Sequence, residues 1–307
     1  MRLDERYGRA VKEKAFAKIN ISLDVTKRRP DGYHDMVMVM QTISLCDELT
    51  LTLNDSGRVN ARTNMSFLPC DEQNLAVKAA KCFLQAVEDP KSGADILLRK
   101  QIPVGAGLAG GSADAAAVLR AMNRLYGDPF DTVQLCRLGE KVGSDVPFCA
   151  VGGTKLARGR GEILSALPDF PDCCFTVIKP AFSISTPELF RRLDSADSRC
   201  HPDTAGILQA LERKDLRQIC RRMYNVFEDV GDRRMKTVAQ IKDSLLDYGA
   251  IGAVMTGTGS AVFGVFTDPE KAAAAADAMK DRYKFACVAE PIGSLLPFLP
   301  AEEQKTN

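Results

Sequence analysis

Four glycines fall in the seven residues Gly105 to Gly111, within Pro103-Val-Gly-Ala-Gly-Leu-Ala-Gly-Gly-Ser112, just ahead of the alanine-rich run Ala113 to Leu125. A loop without Cβ atoms can close its backbone N–H groups on a phosphate. A helix behind it adds free N–H groups and the positive end of its dipole. Ser112 and Ser144 offer hydroxyl donors. The plainer alternative is a flexible strand-to-helix connection; glycine density at a helix start favours the anion cradle. Gly105-x-Gly107-x-x-Gly110 also satisfies the dinucleotide fingerprint. However, Pro103 precedes it, and the following helix leads to another helix rather than to a strand ending in an acidic residue. A nicotinamide site is rejected on that context, and a Walker-type loop on the missing lysine.

Two charged residues stand in apolar surroundings. Lys18 lies in the middle of an apolar strand pattern, and Asp145 lies between a helix end and Val146-Pro-Phe148. An unpaired charge flanked by apolar residues is costly. Taken singly, Lys18 reads as a solvent-facing strand lysine and Asp145 as a turn or cap residue. The turn Arg28-Arg-Pro-Asp-Gly-Tyr-His34 offers a stacking ring and an imidazole, and taken alone it reads as an ordinary hairpin turn.

The elements that must position these residues can be outlined. Ala15 to Thr26 alternates with one phase shift and predicts a strand; Met36 to Leu53 predicts another, broken near Cys46-Asp-Glu48. Helices are expected over Asn74 to Glu88, Ala113 to Leu125 and Asp131 to Val142. Asp131 is the expected N-cap of the third, and Gly143-Ser-Asp-Val-Pro147 its stop. The Pro- and Asp-rich stretch Leu167 to Cys173 divides the chain into 1–168 and 169–307. Beyond it, strands are expected at Cys174 to Ile178, Ala253 to Met255 and Ala261 to Phe266, the last two flanking a second glycine turn, Thr256-Gly-Thr-Gly259. Helices are expected at Thr186 to Leu193, Thr204 to Leu211, Asp215 to Met223, Arg234 to Tyr248 and Glu270 to Met279, with a polar tail from Pro300 to Asn307. Strands and helices mix without βαβ alternation, which indicates an α+β fold.

Composition narrows the class. The 307 residues are 45% apolar and 26% charged, as in a globular protein with a sizeable core. A net charge of +1 provides no global field for nucleic acid or a membrane surface, so an anionic ligand must be caught locally. Ten cysteines without a Cys-x-x-Cys pair, and only His34 and His201 as imidazoles, argue against zinc. Met1 to Lys14 is charged and no apolar run is long enough to span a bilayer, so a cytoplasmic protein is expected, with reduced and mostly buried thiols.

Pro103-x3-Gly107-Leu-x2-Gly-Ser-Ala113 and Met255-Thr-Gly-Thr-Gly259 resemble the two glycine motifs of the GHMP small-molecule kinases. Ala15-Phe-Ala-Lys-Ile-Asn20, Arg29-Pro-Asp-Gly-Tyr-His34 and Gly143-Ser-Asp-Val-Pro147 resemble the diphosphocytidyl-methylerythritol kinase branch of that superfamily. The resemblance covers about Ala15 to Phe266. It implies an α+β GHMP kinase two-domain fold: an N-terminal domain similar to ribosomal protein S5, a ferredoxin-like C-terminal domain, and a cleft between them. It implies transfer of the γ-phosphoryl of ATP, with Mg²⁺, to the 2-hydroxyl of a cytidine-diphosphate-linked methylerythritol. No ligands for the metal and no oligomeric state are implied.

On that resemblance Asp145 is the general base, and Lys18 orients its carboxylate and offsets phosphoryl charge. Pro103, Gly105, Ala106, Gly107, Leu108, Ala109, Gly110, Gly111 and Ser112 hold the ATP phosphates, with Asp114 nearby and Asn74 and Lys100 on the adenosine side. Tyr33 and His34 hold the cytosine, Asn20 touches the substrate, Thr186, Pro187 and Phe190 close its pocket, and Thr256 and Gly257 line the cleft. Ala109 stands where relatives often have glycine; a methyl there is tolerable if φ is negative. A homoserine or mevalonate kinase is the nearest alternative; a substrate without a nucleobase has no use for Tyr33 and His34.

Overall fold

The computed structural model describes residues 7–196 and 200–298; the expected polar tail from Pro300 to Asn307 lies outside the described residues. β1 (Ala10–Arg28) and β2 (His34–Asn54) form a long antiparallel hairpin. Its turn is closed by Arg29 N–H donating to the Tyr33 carbonyl at 2.7 Å and by Asp31 accepting from Tyr33 N–H at 3.0 Å. One half of β2 pairs with β4 (Gly93–Arg99), which carries β3 (Val59–Thr63) in parallel. The other half pairs with β5 (Thr154–Gly159), and β5 with β6 (Ile163–Ala166).

β2 is one continuous strand, but the irregularity expected near Cys46-Asp-Glu48 is there as a bulge: between the pairs Phe16–Cys46 and Lys18–Thr42, β2 sets three residues against one of β1, and its other neighbour changes from β5 to β4 between Gln41 and Glu48. β1 shifts register between Phe16 and Lys18, Asn20 and Ser22, and Val25 and Lys27, instead of once. Such bulges re-aim side chains. Asp47, fully buried in β2, is tolerated there because it accepts from Gln101 N–H at 2.5 Å and Ile102 N–H at 2.8 Å.

Helices α1 (Leu75–Ala86), α2 (Gly110–Leu125), α3 (Thr132–Val142) and α4 (Val146–Val151) pack with this sheet. α2 is buried nearly all round, and its alanines let its backbone approach β1 closely. The Phe83 ring of α1 sits 5.4 Å from Tyr126 and 5.2 Å from Phe130. Burying such a ring contributes about 1.5–3 kcal/mol. Asp131 caps α3 through a reciprocal pair with Gln134. Gly143 to Pro147 does more than stop α3. A new helix, α4, starts there with Asp145 at its N-cap, because proline in a first turn forfeits no hydrogen bond.

The second sheet runs β11 (Phe285–Ala289), β7 (Cys174–Lys179), β10 (Val262–Phe266), β9 (Gly252–Met255), all antiparallel. α8 (Met235–Asp247) and α9 (Pro269–Lys280) pack on it. α5 (Thr186–Asp194), α6 (Thr204–Glu212) and α7 (Leu216–Cys220) complete the helices among the described residues. The chain crosses back to the first sheet twice. β8 (Tyr224–Asn225) adds in parallel to β1, and Pro291 and Ser294 bridge Ile43 and Gly152.

All ten cysteines are free, but only Cys149, Cys174 and Cys220 are buried; Cys70 and Cys200 are exposed and the others half-buried. The expectation of mostly core thiols fails because several sit at the margins of packed layers. No helix among the described residues is long and apolar enough to cross a membrane.

Candidate active site

A cavity of about 1000 Å³ opens between the two sheets' domains, large enough for a nucleotide-sized ligand. Its wall includes Pro103 through Ser112, Lys18, Asp145, Asp114, Asn74 and Lys100, and at the other end Tyr33, His34, Thr186, Pro187 and Phe190.

The loop is held from below by backbone. Lys18 N–H donates to the Leu108 carbonyl at 3.2 Å, and Ala261 N–H to the Ala106 carbonyl at 3.0 Å. The two glycine motifs, 149 residues apart at their point of contact, meet where Thr256 Oγ1 lies 3.3 Å from the Gly107 carbonyl. Gly107 has a φ of +78°, and a Cβ there would lie 2.1 Å from the Thr256 carbonyl oxygen, so no other residue fits. Ala109 does not meet the condition for an unstrained methyl: its φ is +56°, a left-handed conformation at the N-cap of α2. The loop's closure on both sides imposes it, at about 1–2 kcal/mol of strain.

Lys18 is buried, not solvent-facing. Its Nζ donates to Asn20 Oδ1 at 2.7 Å and to the Gly107 carbonyl at 2.9 Å. Lys18 and Asp145 both face the cavity but form no ion pair. Asn20 and Gly107 take two of the three ammonium donors and fix the Lys18 side chain at the cavity wall. Asp145 is positioned through α4. The buried Arg120 guanidinium, lowered by burial to about 10, donates to the carbonyls of Cys149 at 2.8 Å and Ala150 at 3.3 Å, and to that of Lys14 at 2.9 Å. This ties the end of α4 to α2 and β1.

Asn20 and Thr256 do not line the cavity; both are buried beneath it. Asn20 Oδ1 accepts from Lys18 and, at 3.0 Å, from Gly257 N–H, while Thr256 Oγ1 accepts from Asn20 N–H at 3.0 Å. They hold Lys18 and the second glycine turn, and Gly257 itself faces the cavity. Asn225, unremarkable in the sequence, braces the same turn by donating to the carbonyls of Met255 and Gly257, each at 2.8 Å.

Under the loop lies a buried charge cluster. Lys100 Nζ pairs with Asp47 and, at 2.5 Å, with Asp114. Burial above all, with Asp47 beside it and Lys100 opposing, pushes the Asp114 carboxyl up to about 7. Asp114 Oδ1 is buried and has no hydrogen-bond partner among the described residues. The Lys100 amine is thus engaged by carboxylates on the cavity's floor. Asn74 is equally committed: it caps α1 by accepting from Ala76 N–H at 2.9 Å and donates to the Pro69 carbonyl at 2.8 Å. Both line the cavity with their polar groups already partnered.

At the far end, the His34 ring stacks on Phe190 at 4.6 Å, and Phe190 meets Phe227 edge-on at 5.0 Å. The half-exposed Tyr33 ring lies under the Arg160 guanidinium at 5.4 Å. Thr186 Oγ1 bonds Thr258 Oγ1 at 2.8 Å, tying α5 to the second glycine turn. Sequence reasoning missed Arg160, Arg191 and Asp194 here. Arg160 lies two residues before Glu162, whose carboxylate accepts from the Arg160 N–H at 2.7 Å.

Two domain families match the chain: the GHMP kinases N terminal domain over residues 74–153 and the GHMP kinases C terminal over residues 207–284. A 4-diphosphocytidyl-2-C-methyl-D-erythritol kinase of Clostridium novyi (strain NT) is 44% identical over 270 residues, 88% of this chain and 96% of that one. A crystal structure of 4-(cytidine 5'-diphospho)-2C-methyl-D-erythritol kinase superposes with a TM-score of 0.78 at 34% identity, covering 92% of this chain and all of the other. A homoserine kinase from Cytophaga hutchinsonii shares the fold, with a TM-score of 0.73 at 22% identity over 94% of this chain and 96% of that one. The chain belongs to the 4-diphosphocytidyl-2-C-methyl-D-erythritol kinases, a family of GHMP small-molecule kinases.

Proposed function

We propose that this kinase transfers the γ-phosphoryl of ATP to the 2-hydroxyl of 4-diphosphocytidyl-2-C-methyl-D-erythritol, a step in non-mevalonate isoprenoid synthesis. The observation that carries the reading is the single continuous cavity, with the glycine loop at one end, Lys18 and Asp145 on its wall, and the aromatic His34–Phe190 stack at the other. The 44% identity to a kinase of that name supports it over a homoserine or mevalonate kinase.

In this reading the loop from Gly105 to Ser112 and the start of α2 bind the ATP phosphates through backbone N–H groups. Asp145 takes the proton of the acceptor hydroxyl as its oxygen attacks the γ-phosphorus and ADP leaves. The Lys18 ammonium, held in place by Asn20 and Gly107, offsets charge on the transferring group. Asn74 and Lys100 shape the nucleotide wall through the groups they hold. Tyr33, His34 and Phe190 take the cytosine, with Thr186 and Pro187 closing over it. Mg²⁺, arriving with ATP, would neutralise phosphate charge; it needs only one or two protein carboxylates, and Asp114, with its unpartnered oxygen, and Asp145 fit that need. We assign residues 1–168 to the phosphate-loop domain and 169–307 to its partner. The ten free thiols fit a cytoplasmic location.

The test is ³¹P NMR of ATP consumption with Mg²⁺ and three acceptors: the cytidine compound, homoserine and mevalonate. A new phosphomonoester resonance with the cytidine compound alone is expected. Turnover of homoserine or mevalonate instead would overturn the substrate assignment.

A further inference from the structure

The His34 ring is gripped from two sides by α5. Phe190 stacks on it with 24° between the planes, and one turn later Asp194 Oδ1 lies 2.7 Å from Nε2. The second Asp194 oxygen faces Arg28 Nε at 3.6 Å, so the carboxylate is itself oriented. His34 is buried, with both its side chain and Asp194 on the cavity wall, and its Nδ1 has no hydrogen-bond partner among the described residues. A carboxylate can only accept. Nε2 therefore carries the proton, and in the neutral ring Nδ1 is left with a lone pair.

We propose that Asp194 is a specificity-determining positioning residue: by fixing the His34 tautomer it makes Nδ1 an acceptor for the exocyclic amine of an aminopyrimidine and hostile to the carbonyl of an oxopyrimidine. The inference rests on the cytidine reading above and adds to it the group that tells cytosine from uracil. Cytosine offers N–H donors at its 4-position, where uracil offers an oxygen. With uracil, two lone pairs face each other and the buried ring loses its one free partner. A site built on such a bond rejects the mismatched base by on the order of 10–100-fold. Asp194 arrives on α5 and His34 on β2, from opposite halves of the chain, so the selective pair forms only when the cleft is assembled.

The experiment measures kcat and KM of the full chain for the cytidine compound and its uridine counterpart at saturating ATP and Mg²⁺. The wild type should favour cytidine by about 10–100-fold in kcat/KM. Asp194→Asn can turn its amide toward Nε2 and release the tautomer. It should shrink that preference by about 10-fold, through a higher KM for the cytidine compound, with kcat and the KM for ATP nearly unchanged. Asp194→Glu should recover part of the preference, which a merely structural role would not require. Asp194→Asn and Asp194→Ala proteins that fold by circular dichroism and keep the wild-type base preference would overturn the assignment to Asp194 alone. A wild type that ignores the cytidine compound would overturn the proposed function and this inference with it.

Discussion

At the glycine-loop end of the cavity the wall is made of backbone and buried charge, drawn largely from one continuous stretch, Lys100 to Asp114, with Asp47 beneath it. At the His34 end it is made of side chains from β2, α5 and the 3₁₀ turn at Phe227, brought together from distant parts of the chain. The first end has most of its polar side chains paired within the protein, Asp114 Oδ1 excepted, and offers N–H groups in fixed positions. The second leaves ring faces and a ring nitrogen open. A generic phosphate needs a rigid cradle; a particular base needs groups that can be chosen one by one.

If the loop end is preassembled on its charge cluster, its removal should be the most damaging change. Lys100→Ala would strand Asp47 and Asp114 in the interior and destabilise the protein by about 3–5 kcal/mol in chemical denaturation. Wild-type stability would show the cluster to be dispensable. Gly107→Ala forces a methyl against the Thr256 carbonyl at a φ that disfavours it. Displacing the loop by about an ångström should lower kcat/KM for ATP by about 10²-fold, and unaltered ATP kinetics would refute the close approach of the two motifs. At the other end, His34→Ala should raise the KM for the cytidine substrate by about 10-fold and leave the KM for ATP alone; a fall in ATP affinity instead would move His34 out of the base pocket. The smallest effect is expected at Ala109→Gly. Relief of left-handed strain, partly offset by a more flexible unfolded chain, should stabilise the protein by about 0.5 kcal/mol in thermal denaturation. A loss of stability would mean that the loop relaxes around the methyl.

The same contrast explains what could be read from the sequence. Gly105 to Ser112 and the helix behind it are local, so their spacing alone shows both the element and its chemistry. The cap at Asp131 was legible for the same reason: donor, acceptor and helix lie within four residues. Lys18 and Asp145 gave only a charge in an apolar setting, and the resemblance supplied their roles. What the sequence could not show is that the Lys18 ammonium bonds Asn20, two residues on along the same strand face, and the Gly107 carbonyl 89 residues away, since the second contact exists only once the loop is folded over β1. The sign of φ at Ala109 was not legible, because it is set by the closure of the whole loop and not by the residue. α4 was hidden because Pro147 reads as a stop when it stands in a first turn. Asp194 carried no signal at all: an acid at a helix end is ordinary until the fold brings it to His34, 160 residues away.

The central claim is that Asp145 does the proton chemistry at the junction of the two ends. It is tested most directly by single-turnover phosphoryl transfer in Asp145→Asn, with calorimetric titration of ATP and of the cytidine compound on the same protein. Binding of both should persist while the transfer rate falls by about 10²–10⁴-fold. A variant that binds both and transfers at close to the wild-type rate would contradict the account.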